Sequence, residues 1–326
     1  MPGIIGRVRT LPANAFLRGR PDPTYADGDD DAWLRVDWPS LIRRETVLGR
    51  RVNVVDTGGS GPALLLLHGL GGQWQNWLLN IPHFAEAGYR VIAPDLPGFG
   101  GSEMPAGRIS IQGFARVIDA LCERLGVTDP VVVGNSMGGF VGAELALAFP
   151  TRVAKLVLVS AAGLSVENVA REPVMAVGRL MAMSAARGGV KALPMVTRPR
   201  LRRLALQLVV RYPERLSVPL ATELVQGSGT QGFVGGLDAV LGYSFRERLP
   251  EIEAPTLIVW GRNDLLIPVE DAYEFERLIG ANARVEIFED TGHLAMLERP
   301  SRFNALLEHF LAGEARPEAG VPGVEH

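Results

Sequence analysis

The chain has 326 residues, 47% of them apolar, a formal net charge of −3 at pH 7, five histidines and one cysteine. That length and apolar content suit one large core, or a core domain with a sizeable insertion. The balanced charge gives no basic field for nucleic acid and no acidic field for cationic substrates, one cysteine excludes an internal disulfide, and so few Cys and His residues give no basis for a metal cluster.

Residues 1–44 read as an N-terminal extension. Its first 35 or so residues mix Pro, Arg and Gly with the acidic run Asp27, Asp29, Asp30 and Asp31, too polar to order alone, so the segment is expected to lie on the domain or stay mobile. The first residues carry arginines but no uninterrupted apolar stretch ahead of a small-residue cleavage site, so they do not read as a signal peptide. Nowhere does an apolar run of about 18 residues occur. A cytoplasmic protein is expected.

From residue 45 onward, short β-branched runs alternate with helical periodicity. Strands are predicted at 51–56, 63–67, 90–93, 130–134, 155–160, 256–260 and 284–288. Several are apolar on both faces (LLLL, VVV, LVLV), as strands of a mainly parallel sheet covered by helices on both sides must be. Ser110 is a natural N-cap for a helix ending near Leu125, and Phe303, Leu306, Leu307 and Phe310 form an i, i+3, i+4, i+7 stripe. Cys122 falls on the stripe of Ile111, Phe114, Ile118 and Leu125, so it reads as a core thiol. The fold class is α/β, with a mostly parallel sheet and helices on both faces.

Residues 164–249 break this rhythm with helical sequence and no convincing strand, and are expected to form a helical cap between two parts of the core, 45–163 and 250–312; residues 313–326 read as a C-terminal tail. Met175, Met181 and Met183 in the insertion suit an adaptable apolar wall or simple packing. The stretch RPRLRRLALQLVVRYPER is basic and amphipathic. A cap helix with a solvated arginine face is the plainer reading, and docking on anionic lipid the alternative.

The segment VVVGNSMGGFVGAELALAFP carries the chemistry, because a strand runs into Gly134-Asn135-Ser136-Met137-Gly138 and then directly into a helix. A nucleophile on such a sharp turn needs small neighbours two residues to either side, and the helix N-terminus behind it favours developing negative charge. Serine needs a base, most often histidine. Of the five histidines, His68 ends a strand, His83 and His309 sit in helical sequence and His326 is terminal, which leaves His293 in the loop of EDTGHLAMLERP. The orienting carboxylate is expected at Asp264, just after the strand that ends at Trp260, with Glu270 and Asp271 as distant substitutes. Two N–H donors for an oxyanion are expected from Met137 and from Leu70 in HGLGG, with Gly71 as second choice for the latter and His68 bracing that loop. Trp74 and Trp77 line the pocket or pack in the core.

With HGLGG, APDLPGFGGSEMP, GNSMGG, GRND and TGH in this order, residues 45–312 resemble the α/β-hydrolase superfamily. The resemblance implies a sheet of about eight strands, a helical cap shaping the pocket, and no cofactor. Haloalkane dehalogenases and soluble epoxide hydrolases carry aspartate at the elbow, so Ser136 argues against both. GNSMGG is similar to the carbon–carbon bond hydrolases of aromatic catabolism. Those typically place tryptophan after the catalytic histidine and read G-P-G after the HG pair, whereas here stand Leu294 and LGGQW. Serine esterases, lipases and cofactor-free haloperoxidases or perhydrolases share the triad. The expectation is therefore cleavage of a small, apolar carboxylic ester through an acyl-enzyme. The alternatives are cleavage of a vinylogous diketone acid at a carbon–carbon bond and perhydrolysis, and in a different class a non-catalytic binding protein, in which the triad is usually incomplete.

Overall fold

The computed structural model describes residues 23–27, 32–168, 170–188, 196–226 and 230–313. Asp29, Asp30, Asp31, His326 and the tail from 314 lie outside the described residues, as do the side chains of Met181 and Met183. The sheet is entered through α1 (Trp38–Leu41) and an antiparallel hairpin, β1 (Ile42–Val47) and β2 (Arg50–Asp56). Then follow β3 (Ala63–Leu67), α2 (Ile81–Glu86), β4 (Arg90–Pro94), α3 (Ile111–Leu125), β5 (Val131–Asn135), α4 (Met137–Ala148) and β6 (Lys155–Val159). The chain then leaves the sheet for α5 (Arg171–Gly188), α6 (Pro199–Leu206), α7 (Val218–Gln226) and α8 (Phe233–Leu241). It returns through β7 (Thr256–Gly261), α9 (Glu270–Ile279), β8 (Ala283–Phe288), α10 (Ala295–Glu298) and α11 (Pro300–Ala312).

The eight strands form one open sheet in the order β1-β2-β4-β3-β5-β6-β7-β8. The pairs β1–β2 and β2–β4 are antiparallel and all the others parallel. The pleat sends successive side chains to opposite faces. Leu65 and Leu67 of β3, with Leu156 and Leu158 of β6, pack under α3, α4 and α9. Leu64, Leu66, Val157 and Val159 pack against α2, α10 and α11 on the other side. Two buried faces are the reason these strands read as unbroken apolar runs. Strand β1 escaped the sequence reading because IRRETV lies at the sheet edge, exposed or half-buried along its length, with only Val47 buried. It also begins at Ile42, within the segment assigned to the extension.

Local signals position the helices. Ser110 Oγ accepts the Gly113 N–H at 3.0 Å to start α3, and Gly126 closes it at φ 68°. Among the described residues no strand interrupts the insertion between β6 and β7, and no helix is long and apolar enough to cross a membrane.

Candidate active site

The strand β5 ends at Asn135, and Ser136 follows with φ 54° and ψ −118°, a conformation that costs a non-glycine residue of order 1–3 kcal/mol. Backbone bonds hold it there. Its N–H donates to Val159 O at 3.0 Å, and its carbonyl accepts from Ala162 N at 3.1 Å and Phe140 N at 3.2 Å. The flanking glycines have steric reasons: a Cβ on Gly134 would lie 2.3 Å from Gly138 O, and one on Gly138 would lie 2.2 Å from Leu67 O. Met137 opens α4. Its N–H therefore lies outside the helix's own ladder, at the positive end of the helix dipole.

The loop after β3 is pressed against this turn, since a Cβ on Gly69 would lie 3.1 Å from Ser136 Cβ. His68 is fully buried and holds the loop from beneath. Its Nε2 accepts the Leu96 N–H at 2.9 Å, so Nδ1 carries the proton and donates to Gly69 O at 2.8 Å. Burial pushes the His68 pKa down, against an opposing pull from Asp95. Leu70 and Met137 converge on α8 of the insertion, where a Cβ on Gly236 would lie 2.9 Å from Leu70 Cδ1 and 3.4 Å from Met137 Sδ. The continuation of the loop is tied down by Asp95, whose carboxylate accepts from Trp74 N and Gly101 N, each at 2.8 Å, and from Asn53 Nδ2 at 2.9 Å. Trp74 and Trp77 bracket a short 3-10 helix, and both indoles are buried in the core. Trp77 packs near Phe303 and Trp74 against Trp38, so core packing rather than pocket lining describes them.

The loops after β7 and β8 meet edge to edge. A Cβ on Gly261 would lie 1.9 Å from Gly292 O, and Asn263 N donates to Thr291 O at 2.8 Å. The Asp264 side chain is fully buried. Its Oδ1 accepts from Leu266 N at 2.8 Å and Ile267 N at 3.0 Å, and its Oδ2 lies 2.7 Å from His293 Nδ1. With Nδ1–H donated to this carboxylate, Nε2 of His293 is left as the proton acceptor. Asn135, next to Ser136, links the elbow to the histidine: its Nδ2 donates to Val159 O at 3.1 Å and to His293 O at 3.2 Å. Of the suggested substitutes, Asp271 accepts from Ser165 N at 2.8 Å and Glu270 sits on the exposed start of α9, so it is Asp264 that reaches His293. His83 pairs with Glu308 at 3.0 Å.

Three residues around the histidine escaped the sequence reading: Asn135, Glu298 and Tyr25. Both oxygens of the buried Glu298 carboxylate take backbone N–H groups from Gly292 and Leu294, on either side of His293. The one cue was a glutamate inside the apolar run LAMLE, where a buried charge requires several donors. Among the described residues no group of three or more His, Cys, Asp or Glu side chains is placed to hold a metal ion. Cys122 is buried, which pushes its thiol up to about 12.

Two curated relatives are similar to this chain over most of its length. A 2-hydroxy-6-oxononadienedioate/2-hydroxy-6-oxononatrienedioate hydrolase of Paraburkholderia phymatum is 34% identical over 80% of this chain and 91% of its own length. A 2-hydroxy-6-oxo-6-phenylhexa-2,4-dienoate hydrolase of Comamonas testosteroni is 32% identical over 78% of this chain and 88% of its own length. Among solved structures, a bacterial membrane phospholipase A superposes with a TM-score of 0.65 at 29% identity, covering 83% of this chain and 86% of the other. The sequence model of the alpha/beta hydrolase fold matches residues 62–300, which with the eight-stranded sheet makes this chain a member of the α/β-hydrolase family.

Proposed function

We propose that the chain is a serine hydrolase that attacks a carbonyl carbon, with Ser136 as nucleophile, His293 as base and Asp264 as the group that orients the base. The observation that carries this reading is the 2.7 Å contact from Asp264 Oδ2 to His293 Nδ1, on a loop that Asn135 ties to the strained Ser136 turn. His293 Nε2 takes the hydroxyl proton as Ser136 Oγ adds to the carbonyl. The N–H groups of Met137 and Leu70 receive the oxyanion, and the helical insertion caps the pocket.

Ester cleavage is what the sequence motifs alone favour, and the relatives move the weight to the alternative. Both relatives carry names of enzymes acting on 2-hydroxy-6-oxo acids. In such a substrate the 2-hydroxy dienoate first ketonises, its enol proton moving to the carbon beside the 6-oxo group. Ser136 then adds to the ketone carbon, and the tetrahedral adduct collapses by breaking the bond to that now saturated carbon. The leaving carbon fragment departs as an enolate and takes the proton held by His293. Water, giving a proton to His293, then releases the second fragment from Ser136 as a carboxylic acid, and the proton returns to Ser136. No cofactor is needed for either half.

Ester hydrolysis stands as the second reading on one observation: Leu294, a buried aliphatic residue, follows His293 where the resemblance to carbon–carbon hydrolases leads one to expect tryptophan. The phospholipase likeness fits it too. Steady-state kinetics on a 2-hydroxy-6-oxo dienoate beside p-nitrophenyl esters of graded chain length separates the two. A higher kcat/KM on the dienoate is expected. Turnover of esters alone overturns the carbon–carbon reading and leaves the second.

A further inference from the structure

The histidine loop is held by bonds from its own backbone on both sides of His293. Three successive backbone N–H groups, those of Gly292, His293 and Leu294, all donate outside the loop. His293 N reaches Val209 O of the insertion at 3.1 Å, and the two flanking groups reach Glu298 at 3.0–3.1 Å. Glycine is required at 292, because a Cβ there would lie 2.9 Å from Arg211 N and 3.0 Å from Glu298 Oε1. Arg211 N, also in the insertion, donates to Glu298 Oε2 at 2.8 Å.

The remaining donor comes from far away in sequence. Tyr25 is buried, and its hydroxyl donates to Glu298 Oε2 at 2.6 Å while accepting Tyr212 N–H at 2.9 Å. Its neighbours fasten the same segment to α10 and α11: Ala26 N donates to Glu298 O at 2.8 Å, and Arg299 Nη1 donates to Thr24 Oγ1 at 2.8 Å. The Arg299 guanidinium lies 5.0 Å from the Tyr25 ring centre, and the Tyr212 ring meets that ring edge-on at 5.0 Å. A buried carboxylate depends on its donors, and each one lost leaves it less well satisfied. Tyr25 thus sets where Glu298 sits, and Glu298 sets where the backbone on both sides of His293 sits.

We infer that Tyr25, 37 residues before the segment matched by the family model, is a positioning residue for His293, acting through the Glu298 carboxylate that fixes the histidine loop. This rests on His293 serving as the base of Ser136. The test compares the wild-type full chain with Tyr25→Phe, which removes one hydroxyl, and with Thr24→Val as a milder variant should Tyr25→Phe fail to fold. Three things are measured: thermal unfolding, hydrolysis of p-nitrophenyl acetate as a function of pH, and the second-order rate of inactivation by a fluorophosphonate. The expected result for Tyr25→Phe is a fall of about tenfold in kcat and in the inactivation rate at temperatures where the protein is fully folded. KM should change less than twofold and the acid limb of the pH profile should move. Thr24→Val should change the same quantities in the same direction, by less. A lowered melting temperature with unchanged kcat, inactivation rate and pH profile overturns the inference. Failure of the underlying reading looks different, since wild type and Ser136→Ala would then be equally unreactive to the fluorophosphonate.

Discussion

At the scale of single residues, the site consists of groups held by several bonds each, so that removing one changes a rate more than a structure. Ser136→Ala or His293→Ala is expected to lower kcat by roughly 10⁵- to 10⁶-fold, and Asp264→Asn by about 10⁴-fold, with KM little altered. Steady-state kinetics checks this, and a fully active Asp264→Asn would mean that another group orients the histidine. His68 offers a test in pH. The folded ring is buried with its pKa lowered, whereas an unfolded histidine titrates near 6.5, so the unfolded chain takes the proton first as pH falls. The stability contributed by neutral His68 is present above about pH 6.5 and is lost as pH drops below it, because a protonated Nε2 can no longer accept the Leu96 N–H. Urea unfolding at pH 7 and pH 5 should show a smaller gap between the two in His68→Gln than in wild type.

At the scale of elements, the elbow is the unit with least freedom. The G-x-S-x-G spacing was legible because it encodes sterics along one stretch of chain, strand then turn then helix. Gly138→Ala drives a methyl to 2.2 Å from the Leu67 carbonyl. A loss of about 1–3 kcal/mol is expected, read as a lower denaturation midpoint at unchanged slope. Full stability in that variant would mean that β3 and α4 separate more easily than their contact indicates. The histidine loop was legible only in part. His293 and Asp264 could be chosen because few polar residues end late strands, but Asn135 reaches the His293 carbonyl across 158 residues of chain, and Glu298, though only four to six residues from the N–H groups it collects in this loop, takes a further donor from Tyr25, 273 residues away. Trp74 and Trp77 show the converse. Whether they met a pocket or the core depended on partners distant in sequence, Phe303 of α11 for Trp77 and Trp38 for Trp74.

At the scale of the whole molecule, the parallel core was legible from doubly apolar strands, since strands buried on both faces leave no polar positions to confuse with anything else. The edge strand β1 lacked that signature, so it went unread and its first half fell in the extension, and the docking of Tyr25 could not be foreseen from a segment rich in Pro, Gly and charge. Substrate class was the least legible property, because the same elbow serves esters and carbon–carbon bonds alike, and here the relatives' names carry more weight than any residue in the loops. Beneath both substrate readings lies one claim, that Ser136 is a nucleophile activated by His293 and Asp264. Treatment of the wild-type protein with a fluorophosphonate, followed by intact-mass and peptide analysis, tests it most directly. A single adduct on the peptide containing Ser136, lost in Ser136→Ala and strongly slowed in His293→Ala, is the predicted result. An unlabelled wild-type protein, or an adduct that persists in Ser136→Ala, would contradict it.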